Sequence, residues 1–345
     1  MEFRLPELHR NWPFPRLENP FFKEGNQLSR EWFDSHQLFN EVMQHKFREI
    51  KSGTLAAFAY PNLSKDHFRV ACDLMNILFA MDDISDHLNV TDIRSLAIAA
   101  LDGLRNPDSP LKFQEQHRMR AVHMSFWKNA SKIASNTVKR RFVKSYDAYV
   151  NAVVQEAMER RERQVRPSLE EYLTLRRSTG AIKPSLDLIM LPLEISDEYL
   201  ELDSVKELEL IAIDLIAIAN DIVSFNVEQA RGDIHNAVIV LMEKQKLSIQ
   251  EAMDFVDEWY QRRSSKFIDI MKEMEETLDE SDRMQRDLKI YIKGLAQWVT
   301  ANYEWSFETS RFFGPHHKDI YKARAVALMP KRGKGKNINS AVSNF

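Results

Sequence analysis

The stretch "LELIAIDLIAIANDIVSFNVEQARGD", residues 208–233, decides how this chain is read. Its first half is Leu, Ile and Ala at nearly every position, so a helix formed here has to be buried on most sides. Its second half is polar at fixed intervals. Asn220, Ser224 and Glu228 fall at i, i+4 and i+8, and each step drifts only about 40° around a helix, so the three line one stripe over about 12 Å of axis. That stripe offers an amide oxygen, a hydroxyl and a carboxylate. Its net charge of one negative suits a hard divalent cation that must also hold an anionic group. The competing reading makes Asn220 and Ser224 ordinary surface positions and leaves Asp221 solvated. The apolar lead-in argues against it, because a polar stripe ending a buried helix calls for partners.

A second oxygen-rich surface lies upstream in "LFAMDDISDHL", residues 78–88. Asp82 and Asp86 are four apart and share a helix face, while Asp83 sits about 100° around the axis. No Lys or Arg lies within one turn of them. Carboxylates turned inward without countercharge are costly, and Mg²⁺ resolves the conflict by taking one or two of them together with substrate phosphate. The bland alternative is a solvated acidic helix end capped near Asn89, with His87 as a surface or capping residue rather than a ligand.

Helical spacing extends over most of the chain, and no stretch alternates like a half-buried strand. It predicts helices over 30–51, 65–87, 92–105, 112–134, 136–163, 169–179, 181–191, 204–231, 235–244, 248–276 and 282–313. Ser168 with Glu171 has capping-box spacing. The chain of 345 residues holds 9 Gly and 12 Pro that do not cluster mid-chain, so one domain over 1–330 is expected. Within it an arm of residues 1–25 packs over the body, and 331–345 forms a basic flexible tail. A net charge of −3 gives no field that favours nucleic acid or anionic membrane. The most apolar run, 208–219, carries Glu209 and Asp214 and is too short to span a bilayer. The single Cys72 excludes an internal disulfide and points to a reducing compartment, and "MEFRLPELHRNWPFPRL" is not expected to act as a secretory signal. A cytoplasmic, soluble protein is expected.

Taken together, Asp82-Asp83-x-x-Asp86 and Asn220-Asp221-x-x-x-Ser224-x-x-x-Glu228 resemble the two metal motifs of class I terpene synthases. The phrase "NDIVSFNVEQARGD" is similar to that of fungal, basidiomycete-type sesquiterpene cyclases in particular. The resemblance runs from the "NWPFP" arm to "RFFG". It implies an all-α, single-domain helical bundle enclosing an apolar active-site cavity. It also implies Mg²⁺-dependent ionisation and cyclisation of farnesyl diphosphate to a sesquiterpene, a carbon–oxygen lyase reaction on a phosphate. Three Mg²⁺ ions are expected, with Mn²⁺ able to substitute, and a monomer or homodimer.

In the same pattern Asp82, Asp86, Asn220, Ser224 and Glu228 hold metal, Asn220 also meets substrate, and Asp83 acts behind them through an arginine such as Arg311. In "LRRSTGAIKPS" Arg176 matches the diphosphate sensor, Thr179 the linker and Gly180 the effector at a helix break, while Arg177 reads as a solvated basic turn. Arg311 in "NYEWSFETSRFFG" matches the family's closing arginine, and Phe312 stands where tyrosine is usual. Val227 lacks the basic residue often found before the final glutamate in bacterial relatives. Trp305 and Phe79 are candidates to face the cation, a contact of about 0.5–2 kcal/mol each, and Phe312 is counted with Phe79 among the substrate contacts. A chain-elongating prenyltransferase or an acyclic terpene alcohol synthase would share this fold. A di-iron bundle would want Glu-x-x-His pairs, which the sequence lacks, and a non-catalytic helical interaction protein would leave both polar stripes without a purpose.

Overall fold

The computed structural model describes residues 1–86, 88–109 and 118–331. Strand β1 (Glu2–Arg4) precedes helices α1 (Phe22–Ser35), α2 (Glu41–Arg48), α3 (Ser52–Ala59) and α4 (Lys65–Ser85). Helices α5 (Val90–Arg105), α6 (Arg118–Ile133), α7 (Asn136–Glu162), α8 (Leu169–Thr179), α9 (Ile182–Asp187) and α10 (Asp197–Leu200) follow. The chain continues through α11 (Asp203–Arg231), α12 (Ala237–Gln245), α13 (Ile249–Thr277), α14 (Arg283–Ser306) and α15 (His317–Ala323) to β2 (Ala325–Ala327). The fold is all-α.

Helix α11 is central because its sequence leaves it no other place. It packs against α8, α12, α13 and α14, and buried residues cover most of its sides from Val205 to Ala230. By length and composition it could cross a bilayer, but 83% of its most apolar window is buried inside the bundle. It ends at Gly232, whose φ of +83° is a conformation that side-chain-bearing residues resist. There the Gly232 and Asp233 amides both donate to the Glu228 carbonyl at 3.0 Å. Helix α4 packs on α1, α3 and α6, and one continuous apolar cluster joins Phe3 and Trp12 to α3, α4, α11, α14 and Val326.

Several boundaries depart from the sequence reading. The single helix expected over 30–51 is two, because Gln37 takes a left-handed φ of 52° and Asn40 starts a new helix by accepting the Met43 amide. The helix expected to reach residue 313 stops at Ser306, where the buried aromatics Phe307, Phe312 and Phe313 draw the chain back over the body. Ser168 accepts the Glu171 amide, whereas Ser248 with Glu251 forms a reciprocal capping box. The absence of strands was wrong in one place: β1 pairs antiparallel with β2, Phe3 opposite Val326, in strands too short to show alternation. Residues 1–21 are tied down by Trp12 Nε1, which donates to Thr300 Oγ1 at 3.0 Å, and by Asn19, which donates to the Tyr60 and Leu63 carbonyls. His87, the start of the helix expected at 112, and the tail beyond Lys331 lie outside the described residues.

Candidate active site

The C-terminal end of α4 and the C-terminal half of α11 open on one cavity of about 400 Å³. Asp82 and Asp83 line it from α4 and Asp86 from the position that caps α4, and Asn220, Ser224 and Glu228 line it from α11. The countercharge that α4 lacks comes from elsewhere in the fold. Arg311 pairs with Asp82 and, at 3.1 Å, with Asp83. Asp86 is held by Arg160 of α7 at 3.5 Å and by Arg231, the last residue of α11, at 3.2 Å. Burial, reinforced by the charge of Asp82, raises the Asp86 carboxyl to about 6. Burial also raises Glu156, another lining residue, to about 7.

Asp221 is not solvated, so the competing reading of this stretch fails. It is 1% exposed and accepts the Tyr172 hydroxyl at 2.6 Å, Arg176 Nε at 2.9 Å and the Ala237 amide at 3.0 Å. These donors fill its oxygens, so Asp221 orients Arg176 rather than facing the cavity. Arg176 in turn donates to Asn220 Oδ1 at 2.8 Å, which ties the arginine to the α11 stripe. Burial opposes its charge, yet Asp221 and its other anionic neighbours keep the Arg176 guanidinium protonated with a raised pKa. Asn236 donates to Glu228 Oε2 at 2.9 Å and to the Asp221 carbonyl at 2.7 Å. Burial lifts Glu228 to about 8, against the pull of its Asn236 and Ser224 hydrogen bonds. The solvated reading of Arg177 is corrected: it pairs at 2.7 Å with the fully buried Asp214, because the back of α8 packs towards α11 rather than water.

The break after α8 is built from three residues. Thr179 ends the helix, its hydroxyl 3.5 Å from the Arg176 carbonyl. Gly180 has φ −78° and ψ 1°, and the left-handed residue is Ala181, at φ 52°. That conformation costs an alanine roughly 1–2 kcal/mol. Gly180 matters for space instead, since a Cβ there would lie 3.2 Å from Arg176 Nη1 and from Ile182 Cδ1, so those side chains would have to give by a few tenths of an ångström. Thr179, Gly180 and Ala181 all line the cavity.

Below the carboxylates the walls turn apolar. Trp305 lies 5.1 Å from Phe79 and meets Phe312 edge-on at 5.9 Å, centroid to centroid. The Trp305 indole is fixed by donation to the Ile50 carbonyl at 3.0 Å. Arg311 stands over the Phe79 ring at 5.7 Å. Among the described residues no three His, Cys, Asp or Glu side chains form a metal cluster by themselves. The donors here are carboxylate, amide and hydroxyl oxygens from two helices, a set that fits Mg²⁺ completed by phosphate and water. Sequence reasoning missed Glu156, Arg160, Arg231, Asn236, Tyr149 and Trp298, although all but Asn236 line the cavity. Only Arg231 left a local trace, three residues after Glu228 on the same helix face. A second hollow of about 420 Å³ under the N-terminal arm is lined largely by apolar groups such as Phe14, Ile189 and Met271, and holds no comparable donor set.

A family model described as terpene synthase family 2, C-terminal metal binding, matches residues 73–266, a span that contains both motifs. The chain is 35% identical over 328 residues to sesquiterpene synthase 9 of Postia placenta, covering 95% of this chain and 94% of that protein. It is equally 35% identical to a delta(6)-protoilludene synthase of Armillaria gallica, with the same coverage of both chains. Among solved structures it superposes on α-eudesmol synthase with a TM-score of 0.77 over 86% of this chain and 98% of that one, at 20% identity. Hedycaryol synthase in complex with nerolidol gives 0.75 over 88% and 100%, also at 20% identity. The chain belongs to the terpene synthase family, in the fungal sesquiterpene synthase branch, and has the class I terpenoid synthase fold.

Proposed function

We propose that this protein ionises farnesyl diphosphate in a Mg²⁺-dependent step and cyclises the resulting cation to a sesquiterpene, releasing diphosphate. One observation carries the reading: two oxygen-rich faces, Asp82/Asp86 and Asn220/Ser224/Glu228, share one cavity with Arg176 and Arg311 at its charged end and aromatic rings below. Three Mg²⁺ ions, for which Mn²⁺ substitutes, supply the charge neutralisation that makes diphosphate a leaving group. Arg176, oriented by Asp221, and Arg311 donate charge-assisted hydrogen bonds to the diphosphate oxygens. Asp83 sits behind Arg311 and steers it. Trp305, Phe79 and Phe312 present ring faces to the allylic cation and keep water from it. Phe312 has no hydroxyl, so closure rests on Arg176 and Arg311. The departing diphosphate is the base that takes the final proton. The reading includes one catalytic domain over 1–330 with residues 331–345 as a tail, acting in the cytoplasm as a monomer or homodimer.

Purified protein incubated with farnesyl diphosphate and Mg²⁺ should give a volatile sesquiterpene by gas chromatography–mass spectrometry, and EDTA should abolish it. Product that survives chelation rejects the metal-dependent reading. Incorporation of isopentenyl diphosphate would indicate a chain-elongating transferase instead.

A further inference from the structure

We propose that Arg160 and Arg231 form a second diphosphate clamp that Asp86 holds shut until a cation takes its place. The inference rests on the reading of the site as a metal–diphosphate centre. Each oxygen of Asp86 faces a different guanidinium: Oδ1 is 3.5 Å from Arg160 Nη1 and Oδ2 is 3.2 Å from Arg231 Nη1. A divalent cation and the two arginines therefore compete for one carboxylate. Both arginines line the cavity, and Arg231 extends the Asn220/Ser224/Glu228 stripe by three residues, close to where Val227 offers no cation. Each has a second anion to steady it after release, Asp233 at 2.8 Å from Arg231 and Glu156 at 4.0 Å from Arg160.

Once Asp86 is bound to a cation its negative charge no longer holds the two guanidinium forks. Their planar N–H pairs match phosphate oxygens far better than solvent does. Cation binding thereby arms the clamp, and diphosphate bound in the clamp draws the arginines off Asp86 and favours the cation. The coupling is reciprocal.

Titration calorimetry on the full chain separates the two effects. Arg231→Gln and Arg160→Gln should tighten the binding of Mn²⁺ alone, because a competitor for Asp86 is gone. They should weaken binding of inorganic diphosphate at saturating Mg²⁺, each by about fivefold or more. A residue with a purely structural role would not move the two affinities in opposite directions. Arg231→Lys, which keeps the charge and loses the fork, should leave Mn²⁺ binding near wild type and still weaken diphosphate; this variant carries the test if a Gln variant fails to fold. Unchanged or weaker Mn²⁺ binding in the Gln variants, or unchanged diphosphate affinity in any of the three, overturns the clamp. A wild-type protein that binds neither Mn²⁺ nor diphosphate instead overturns the underlying reading of the site.

Discussion

Asp221 shows how one buried carboxylate sets the geometry of a site it does not face. With Tyr172, Arg176 and the Ala237 amide all donating to it, replacing it with Asn leaves Arg176 buried without its charge partner. A loss of about 3–5 kcal/mol in stability follows for such a broken pair, measurable by urea unfolding, and turnover should fall with it. Gly180 acts through the same arginine. Its φ of −78° suits any residue, so Gly180→Ala should leave the melting temperature within a few degrees. The new Cβ would press on Arg176 Nη1, and kcat/KM should drop by about tenfold or more, since displaced donors to a charged transition state cost about 10²–10³ when removed outright. Wild-type kinetics in that variant would show that Arg176 does not need its present position. Asn220→Ala or Glu228→Ala should remove most turnover while the fold persists by circular dichroism. Full activity in either would contradict the assigned face.

Among the elements, the N-terminal arm offers a pH test. His9 lies on the Tyr303 ring at 4.1 Å, shares a 3.0 Å hydrogen bond with the Tyr260 hydroxyl, and has Arg324 nearby. Burial first, then the charge of Arg324, pushes its imidazole down from 6.5 to about 3. The folded protein keeps this histidine neutral, whereas the unfolded chain protonates it below its ordinary value. The stabilisation is therefore complete above pH 6.5 and is lost as pH falls towards 3, by about 1–2 kcal/mol at pH 5. Thermal unfolding at pH 7.5 and 5.0 should show a smaller acid-induced drop for His9→Gln than for wild type; equal drops would contradict the docked, neutral arm. Elements of this kind were the least legible in the sequence. Strand β1 is three residues long and pairs with a segment more than three hundred positions away, and no local periodicity reports such a pairing. Helices α4, α11 and α13 were legible because long apolar stripes and caps are local properties.

At the scale of the whole molecule the active site joins pieces that share no local signal. The two motif faces could be read from the sequence, because four-residue spacing on one helix puts their oxygens together before any tertiary contact forms. Of their countercharges only the pairing of Arg311 with Asp83 was expected, and from the family resemblance rather than from a local signal. Arg160 comes from α7 and Arg231 from the last turn of α11, and only the assembled bundle shows that both meet Asp86. The same assembly explains how α11 carries a polar stripe through a core: Arg176, Asn236 and the cavity occupy the positions where its polar groups emerge. The most direct test of this arrangement is a crystal grown with Mn²⁺ and inorganic diphosphate and measured at the manganese edge. The account predicts anomalous peaks between Asp82 on α4 and the Asn220, Ser224 and Glu228 oxygens on α11, with diphosphate reaching Arg176 and Arg311. Peaks confined to other surfaces, or none in the cavity while diphosphate is bound, would contradict it.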